Sequence, residues 1–328
     1  MPLVTLREPS TWPPGFVPVM VTLRRGSELD FDLHIQCAGQ MVHFRDRGLV
    51  FTPHEADMLE ADGIDTLWVE EEGGTGYGRY LERQLDSMME DETVETEARA
   101  HALYASSRSL TLEILGAPSR ENMNRAEGVV QHTVGQVLGD PRSLSAMVAS
   151  LSTQYELHSH SVNISVYSVA LARHVGENDD EDLTQFGLGG LLHDLGKSFI
   201  DAAILNNPSR LTSEEWKVMN THPESGYDLL GALADERTIT DQAVIGHHER
   251  VNGTGYPHGL EGDNIPLPGR IVSIADAFDA LTTKRVYKDA IRAFDALTIM
   301  GDEMKGHFDR ELLRAFIGLW KEGGLVAN

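Results

Sequence analysis

The chain has 328 residues, 41% of them hydrophobic, a single cysteine (Cys37) and a formal net charge of −24. That length suits about two domains, one cysteine excludes an intramolecular disulfide and disfavours a thiolate metal site, and the acidic balance argues against duplex DNA or RNA as a partner. A small anionic ligand would need local positive charge, which bound divalent ions can supply. No stretch approaches the ~18 apolar residues of a membrane-inserted helix, and the proline-broken N-terminus does not read as a signal peptide. Together with the lone cysteine, this gives a cytoplasmic, reducing compartment as the expectation.

Residues 31–35 (FDLHI) alternate apolar and polar, the period of a half-buried strand. Residues 41–45 (MVHFR) do so less strictly, and the intervening CAGQ carries a turn glycine, so the pair reads as a hairpin. Thr52 as N-cap and Pro53 at the first helical position predict a helix that Gly63 ends. IDTLWV (64–69) predicts another strand. The glycine run GGTGYG (73–78) does not sit cleanly between strand and helix, and is read as a connector rather than a phosphate loop. Phe31, Phe44 and Trp68 are expected to pack a small core, and Asp30, Asp32 and Asp46 form no convincing receiver pattern.

Past residue 79 strand signals largely vanish. Residues 80–116 are acidic and helix-favouring, and Pro118 and Pro141 mark breaks. After Leu144 the chain reads as successive amphipathic helices; Val162, Val166, Val169 and Arg173 follow helical spacing, with Arg173 the polar exception. The expected fold class is mainly α: a helical bundle preceded by a small α+β domain. The expected organisation is a regulatory α+β domain over 1–95, a helical connector over 96–146 and a catalytic domain over 147–328.

Of the 14 histidines, several share a pattern with two aspartates. His160 lies in YELHSHSVN, His193 and Asp194 in GLLHDLGK, His222 in MNTHPESGY, His247 and His248 in HHERVNGTGYP, and Asp276 in IVSIADAFDA. Most of these segments read as helices or helix ends, and a bundle can bring such side chains to one point. Imidazole and carboxylate together suit iron, manganese, nickel or zinc. His193 and Asp194 leave one helix about 100° apart, so they offer a nitrogen and an oxygen side by side, and a carboxylate there can bridge two ions. Taken singly, each segment also has a plain reading as a surface loop or helix start. His101, His132, His174 and His307 read as surface or packing histidines.

LLHDLGK, NTHPESGYDLL, HHERVNGTGYP and ADAFDALTTKRVYK occur in this order, and together they resemble the HD-GYP domain. This is the bacterial branch of the HD phosphohydrolase superfamily that degrades cyclic di-GMP. The resemblance covers about residues 147–320. It implies an all-α bundle holding two or three divalent metal ions, iron first and manganese as the alternative. By position, His160, His193, Asp194 and Asp276 match ligands shared among HD proteins, and His222, His247 and His248 match those added in the HD-GYP branch. Lys197 matches the lysine placed near the scissile phosphate. Arg285 and Lys288 match residues that grip substrate phosphates, and these cations explain how so acidic a chain could hold a dianionic dinucleotide. Glu249 is read as an anchor for the loop, and Tyr256 either as a rigid lip or as a substrate contact. The chain departs from the usual pattern at Asn252, where aspartate is common, and at Ser198 and Asp201, where apolar residues and proline are frequent.

The implied reaction is attack on phosphorus by a metal-activated hydroxide, which converts cyclic di-GMP to pGpG. Glu156 lies four residues before His160 and so shares its helix face. A carboxylate there resembles the three-metal subgroup and implies a further cut of pGpG to GMP. A homodimer or a protein partner bound through the N-terminal domain is a further expectation. The competing readings are a degenerate HD-GYP domain that binds cyclic di-GMP without cleaving it, and an HD phosphohydrolase acting on ordinary nucleotides.

Overall fold

The computed structural model describes residues 13, 15–20, 26–64, 66–70, 74–139, 141–151, 157–205, 207, 209–233, 238–284 and 290–322. Contacts divide the chain into two units, Met1–Ser109 and Leu110–Asn328.

In the first unit, strands β1 (Phe16–Met20), β2 (Ser27–Glu28), β3 (Leu33–Cys37), β4 (Gln40–Arg45) and β5 (Val50–Phe51) precede helix α1 (Pro53–Ala61), strand β6 (Thr66–Glu70) and helix α2 (Gly74–Glu90). Helix α3 (Thr96–Gly116) runs across the division between the units. The antiparallel sheet has the order β1-β6-β3-β4, and β2 pairs separately with β5. The hairpin expected from FDLHI and MVHFR is β3–β4, turned at Ala38 (φ 49°) and Gly39 (φ 81°), the left-handed pair that a two-residue hairpin needs. Its first strand starts only at Leu33. Asp32 is instead bound to the returning chain, accepting from the Arg47 amide at 2.7 Å and its guanidinium at 3.2 Å.

Helix α1 starts where Thr52-Pro53 predicted. Thr52 and Glu55 close a reciprocal capping box: the Thr52 amide donates to Glu55 Oε2 at 2.8 Å, and the Glu55 amide donates to Thr52 Oγ1 at 3.3 Å. Phe31 and Trp68 are buried as expected, and the Phe31 ring meets Tyr77 and Tyr80 edge-on at 5.4 and 5.6 Å. Phe44 is only half-buried. The connector reading of GGTGYG is corrected, because α2 begins at Gly74. A Cβ on Gly78 would overlap the Ser109 side chain, so glycine here permits close helix packing rather than a break. Packing overrides the low helix propensity of the run.

The second unit holds α4 (Arg120–Gly139), α5 (Pro141–Ser150), α6 (Leu157–His174), α7 (Asp180–Leu192), a 3₁₀ turn (Leu195–Phe199), α8 (Ala202–Leu205), α9 (Ser213–Met219), α10 (His222–Leu233), α11 (Ile239–Gly246), α12 (Leu267–Thr282), α13 (Ala293–Asp302) and α14 (Arg310–Glu322). Among the described residues it has no strand, only isolated bridge residues such as the pair Asn252 and Glu261. The mainly-α architecture with a small N-terminal α+β unit is therefore as the sequence indicated.

Helix α6 is the axis of this bundle. Every residue from Ser159 to Ala172 is buried, because α4, α7, α12 and α14 all pack on it. The valine stripe is present, yet the polar side of α6 meets protein as well, and Ser161, Asn163, Ser165 and Ser168 are enclosed. Asp179 caps α7 by accepting from the amides of Glu181 and Asp182, and three acidic residues fill the first turn, where the helix dipole favours them. The opposite end of α7 delivers His193. No described helix is long and apolar enough to cross a membrane.

Candidate metal centre

The histidines and aspartates of the pattern sit mostly where helices begin or end. His193 caps the C-terminus of α7, and Asp194 opens the 3₁₀ turn that carries Lys197. His222 is the first residue of α10, His247 caps the end of α11 and His248 follows it. His160 lies in the first turn of α6, and Asp276 lies in the middle of α12. Three of the imidazoles are aimed the same way. His193 Nδ1 lies 2.9 Å from the Gly190 carbonyl, His222 Nδ1 2.7 Å from that of Met219, and His247 Nδ1 2.8 Å from that of Val244. Each Nδ1 meets a carbonyl three residues earlier and must donate, so each Nε2 is left with a lone pair facing the cluster.

Asp194 sits between two groups. Its Oδ2 is 3.2 Å from His193 Nε2 and 2.5 Å from Lys197 Nζ. Its Oδ1 is 3.3 Å from His222 Nε2 and 4.0 Å from His247 Nε2. Two donor sets follow, each with its ligand atoms within 4.8 Å of one another: Asp194 with His222, His247 and His248, and Asp194 with His160 and His193. Asp276 closes the second side, its Oδ1 3.2 Å from His160 Nε2, with a fifth of its side chain exposed.

A cation fits this arrangement, and the structure supplies the test. His222 Nε2 and His247 Nε2 stand 3.3 Å apart with both lone pairs turned inward, a repulsive pair unless something positive lies between them. His193 Nε2 and Asp194 Oδ1 are buried and make no hydrogen bond. Such orphaned polar atoms are costly without a partner. A proton is a poor substitute for a metal here. Burial, helped by the Lys197 charge, pushes His222 down to about 4 against the pull of Asp194. Burial and the neighbouring histidines hold His247 well below the usual imidazole range, and burial lowers His248 to about 3. These rings are neutral at pH 7, the form that ligates. Burial opposes ionisation of Asp194, but His193 and Lys197 outweigh it and keep the carboxyl well below the ordinary range. Asp276 is likewise held low against burial, mainly by His160. His160 is different: burial lowers it, yet its hydrogen bonds to Asp276 and Asp279 and their charges raise it to about 9.

Two residues of this site carried no individual sequence signal. Asp279, on α12 and fully buried, lies 2.6 Å from His160 Nδ1 and accepts from Asn163 Nδ2 at 2.6 Å. The signal was present only as spacing: Asp279 follows Asp276 by three residues, and Asn163 follows His160 by three. Among the residues singled out from the sequence, Glu156, Arg285 and Lys288 lie outside the described residues.

The loop after His248 is held from within. The buried Glu249 carboxylate accepts from the amides of His258 at 2.7 Å and Leu260 at 2.9 Å, so the 250–260 segment folds back on itself. A Cβ on Gly255 would come within 2.5 Å of Glu249 Cα and 2.6 Å of the His248 carbonyl oxygen, which leaves room only for glycine. The Tyr256 ring lies against His248, centroids 4.6 Å apart and planes 31° apart, so it backs a histidine of the cluster. Burial and the Asp194 and Asp276 charges push the Tyr256 pKa up, and its hydroxyl stays protonated.

Comparison with known proteins gives a consistent picture. A curated Pseudomonas aeruginosa protein, "Cyclic di-GMP phosphodiesterase PA4108", is 35% identical over 204 residues, which are 61% of this chain and 49% of that protein. The Xanthomonas campestris "Cyclic di-GMP phosphodiesterase response regulator RpfG" is 40% identical over 140 residues, 42% of this chain and 37% of the relative. The Vibrio cholerae "3'3'-cGAMP-specific phosphodiesterase 3" is 36% identical over 156 residues, 48% of this chain and 34% of the relative. The chain thus spans about half or less of the length of these relatives. Among solved structures, the Bdellovibrio bacteriovorus HDG"Y"P protein Bd1817 superposes with a TM-score of 0.64 at 21% identity, covering 93% of this chain and 99% of that one, a likeness of fold. The family described as HD domain matches residues 142–312, more than half of the chain and the whole of the described cluster. On that match, the chain belongs to the HD domain family.

Proposed function

We propose that this protein is a metal-dependent phosphodiesterase of the HD-GYP type that hydrolyses cyclic di-GMP to pGpG and then to GMP. The observation that carries the reading is Asp194, whose two oxygens face separate imidazoles with the Lys197 ammonium 2.5 Å away. A carboxylate shared in this way suits a pair of divalent cations, a recurring device for phosphodiester cleavage. His160, His193, Asp194, His222, His247, His248 and Asp276 would hold the ions, iron first and manganese as the alternative. When bound, such ions supply Lewis acidity and lower the pKa of a coordinated water.

The chain's own residues supply the rest. Lys197 is oriented by Asp194, and its ammonium would act as a point charge toward a phosphate oxygen. Tyr256 offers a phenol donor at the loop, and Arg285 and Lys288 would grip the substrate's phosphates. The relatives named as cyclic di-GMP phosphodiesterases support this substrate. Glu156 would ligate a third ion, and that ion would make the second cut possible. Residues 1–95 would regulate the catalytic domain of 147–328 through the helical connector of 96–146, with a second copy or a protein partner docking on the N-terminal part, in the cytoplasm.

A second substrate, 3'3'-cGAMP, is favoured by one relative so named at 36% identity. The test is to purify the protein anaerobically, count its metals by elemental analysis, and incubate iron-, manganese- and nickel-loaded samples with each cyclic dinucleotide, separating products by chromatography. Conversion of cyclic di-GMP to pGpG and GMP is expected, faster than conversion of 3'3'-cGAMP. Intact cyclic di-GMP with every metal would sink the reading. In Glu156→Ala, three ions per chain and an unchanged ratio of GMP to pGpG would remove the third site alone.

A further inference from the structure

We propose that Asp279 is a positioning residue for the metal centre: its carboxylate, braced by Asn163, fixes the His160 imidazole so that Nε2 faces Asp276 and the donor cluster. The inference rests on reading the cluster as a metal centre. It starts from a difference among the histidines. His193, His222 and His247 are each oriented by a carbonyl of their own segment, three residues earlier. His160 instead turns Nδ1 to a carboxylate on another helix, 119 residues away in sequence and 2.6 Å away in space.

Asp279 has no exposed surface, and burying a carboxylate costs several kcal/mol unless its oxygens are satisfied. They are satisfied on both sides. Oδ2 takes His160 Nδ1 at 2.6 Å, and Oδ1 takes Asn163 Nδ2 at 2.6 Å. Thr283 donates its hydroxyl to the Asp279 carbonyl at 2.6 Å and its amide to the same oxygen at 2.9 Å, which pins the end of α12. Asn163 and His160 lie three residues apart on α6, so a single carboxylate clasps two neighbours on that helix. The consequence is directional. With Nδ1–H committed to Asp279, Nε2 can point only toward Asp276 Oδ1, 3.2 Å away. A charge-assisted bond of this kind fixes the ring and makes its other nitrogen a better electron donor to a cation. The carboxylate also brings a negative charge close to where cations would gather, without occupying a ligand position.

The hydrogen-bond pattern provides a test that separates positioning from folding. Asp279→Asn keeps the shape but can no longer accept on both sides, so either His160 or Asn163 faces a donor. Asn163→Asp sets two carboxylates against each other. The double variant restores one donor and one acceptor at that contact, and leaves an acceptor for His160. Manganese affinity and the manganese-induced rise in Tm are measured on the full chain, with the Tm of the metal-free protein as control. Expected are a loss of about 10- to 100-fold in affinity for D279N, the range seen for outer-shell partners of metal ligands, a metal-free Tm lowered by the unsatisfied buried group, and higher affinity in the double variant than in N163D. Wild-type affinity in D279N, or a double variant no better than N163D, overturns the proposal. A fall in metal-free Tm with unchanged affinity also overturns it, since that pattern is structural. Wild-type protein that takes up no manganese overturns the metal reading itself and this inference with it.

Discussion

A Cβ on Gly196 would overlap the carbonyl oxygen of His222 and lie 2.6 Å from the amide nitrogen of Gly226. The turn that carries Lys197 therefore rests directly on the first turn of α10, backbone to backbone. Gly196→Ala must push that turn away and take His222 with it. The expected cost is about 1–3 kcal/mol of stability, the usual penalty for overpacking, together with weaker metal binding. Chemical denaturation and a manganese titration measure the two effects. Wild-type values for both would mean that the contact is soft and that His222 does not depend on it.

Glu249 makes a second prediction. Its carboxylate accepts from two backbone amides of the following loop, at His258 and Leu260, and is buried. Glu249→Gln turns one acceptor into a donor facing an N–H group. An unsatisfied buried group costs about 1–3 kcal/mol. Amide exchange across residues 250–261 should accelerate, while exchange in α6 and α12 stays as in wild type. Unchanged protection of the loop would show that the glutamate does not hold it.

The parts of this protein that were legible in its sequence are those whose cause is local. Thr52 and Glu55 announce a helix start because both members of the capping box lie within one turn. The turn between FDLHI and MVHFR was readable for the same reason. Helix α2 was missed at its start because its cause is distant: the glycines of GGTGYG accommodate Ser109 and the Asp30 carbonyl, which sequence spacing does not reveal. The candidate site was legible as residue types, since imidazoles and aspartates in repeated short motifs point to metal chemistry whatever the fold. Asp279 was not, because its spacing from Asp276 takes on meaning only when α12 crosses α6 and sets its carboxylate against His160. The enclosure of α6 on all sides was hidden likewise, since the valine spacing marks one apolar face and says nothing of what packs on the others.

Asp194 tests the shared-carboxylate arrangement directly. It is the one residue in both donor sets among the described residues, and it also holds Lys197. Asp194→Asn keeps the volume and removes the charge. Bound metal should fall for both sets together, and the proposed turnover of cyclic di-GMP should fall by at least about 100-fold, more than the loss of an outer-shell partner. Elemental analysis and a product assay read these out. Loss of one ion with the other fully retained would show that Asp194 serves a single ion, and full retention of both would place the metal elsewhere.

His101 concerns stability rather than the site. It lies on α3, its Nε2 is buried with no hydrogen-bond partner among the described residues, and burial lowers its pKa from 6.5 to about 4. The ring is therefore neutral in the folded chain at pH values where the unfolded chain would already bind a proton. Stability from this source is complete above pH 6.5, the unfolded value, and declines as pH falls, because the unfolded state gains protons first; the decline levels off near the folded value of about 4. At 1.36 kcal/mol per unit, the loss on going from neutral pH to pH 5 is about 2 kcal/mol. His101→Leu removes the titrating group and leaves every other carboxylate and histidine in place. Denaturant unfolding of both proteins at pH 7.5 and pH 5 gives the double difference that isolates it. The wild type should lose about 2 kcal/mol more than His101→Leu over that interval. Parallel losses in the two proteins would mean that His101 finds a proton acceptor or water on acidification, and that its burial exerts no pull on stability.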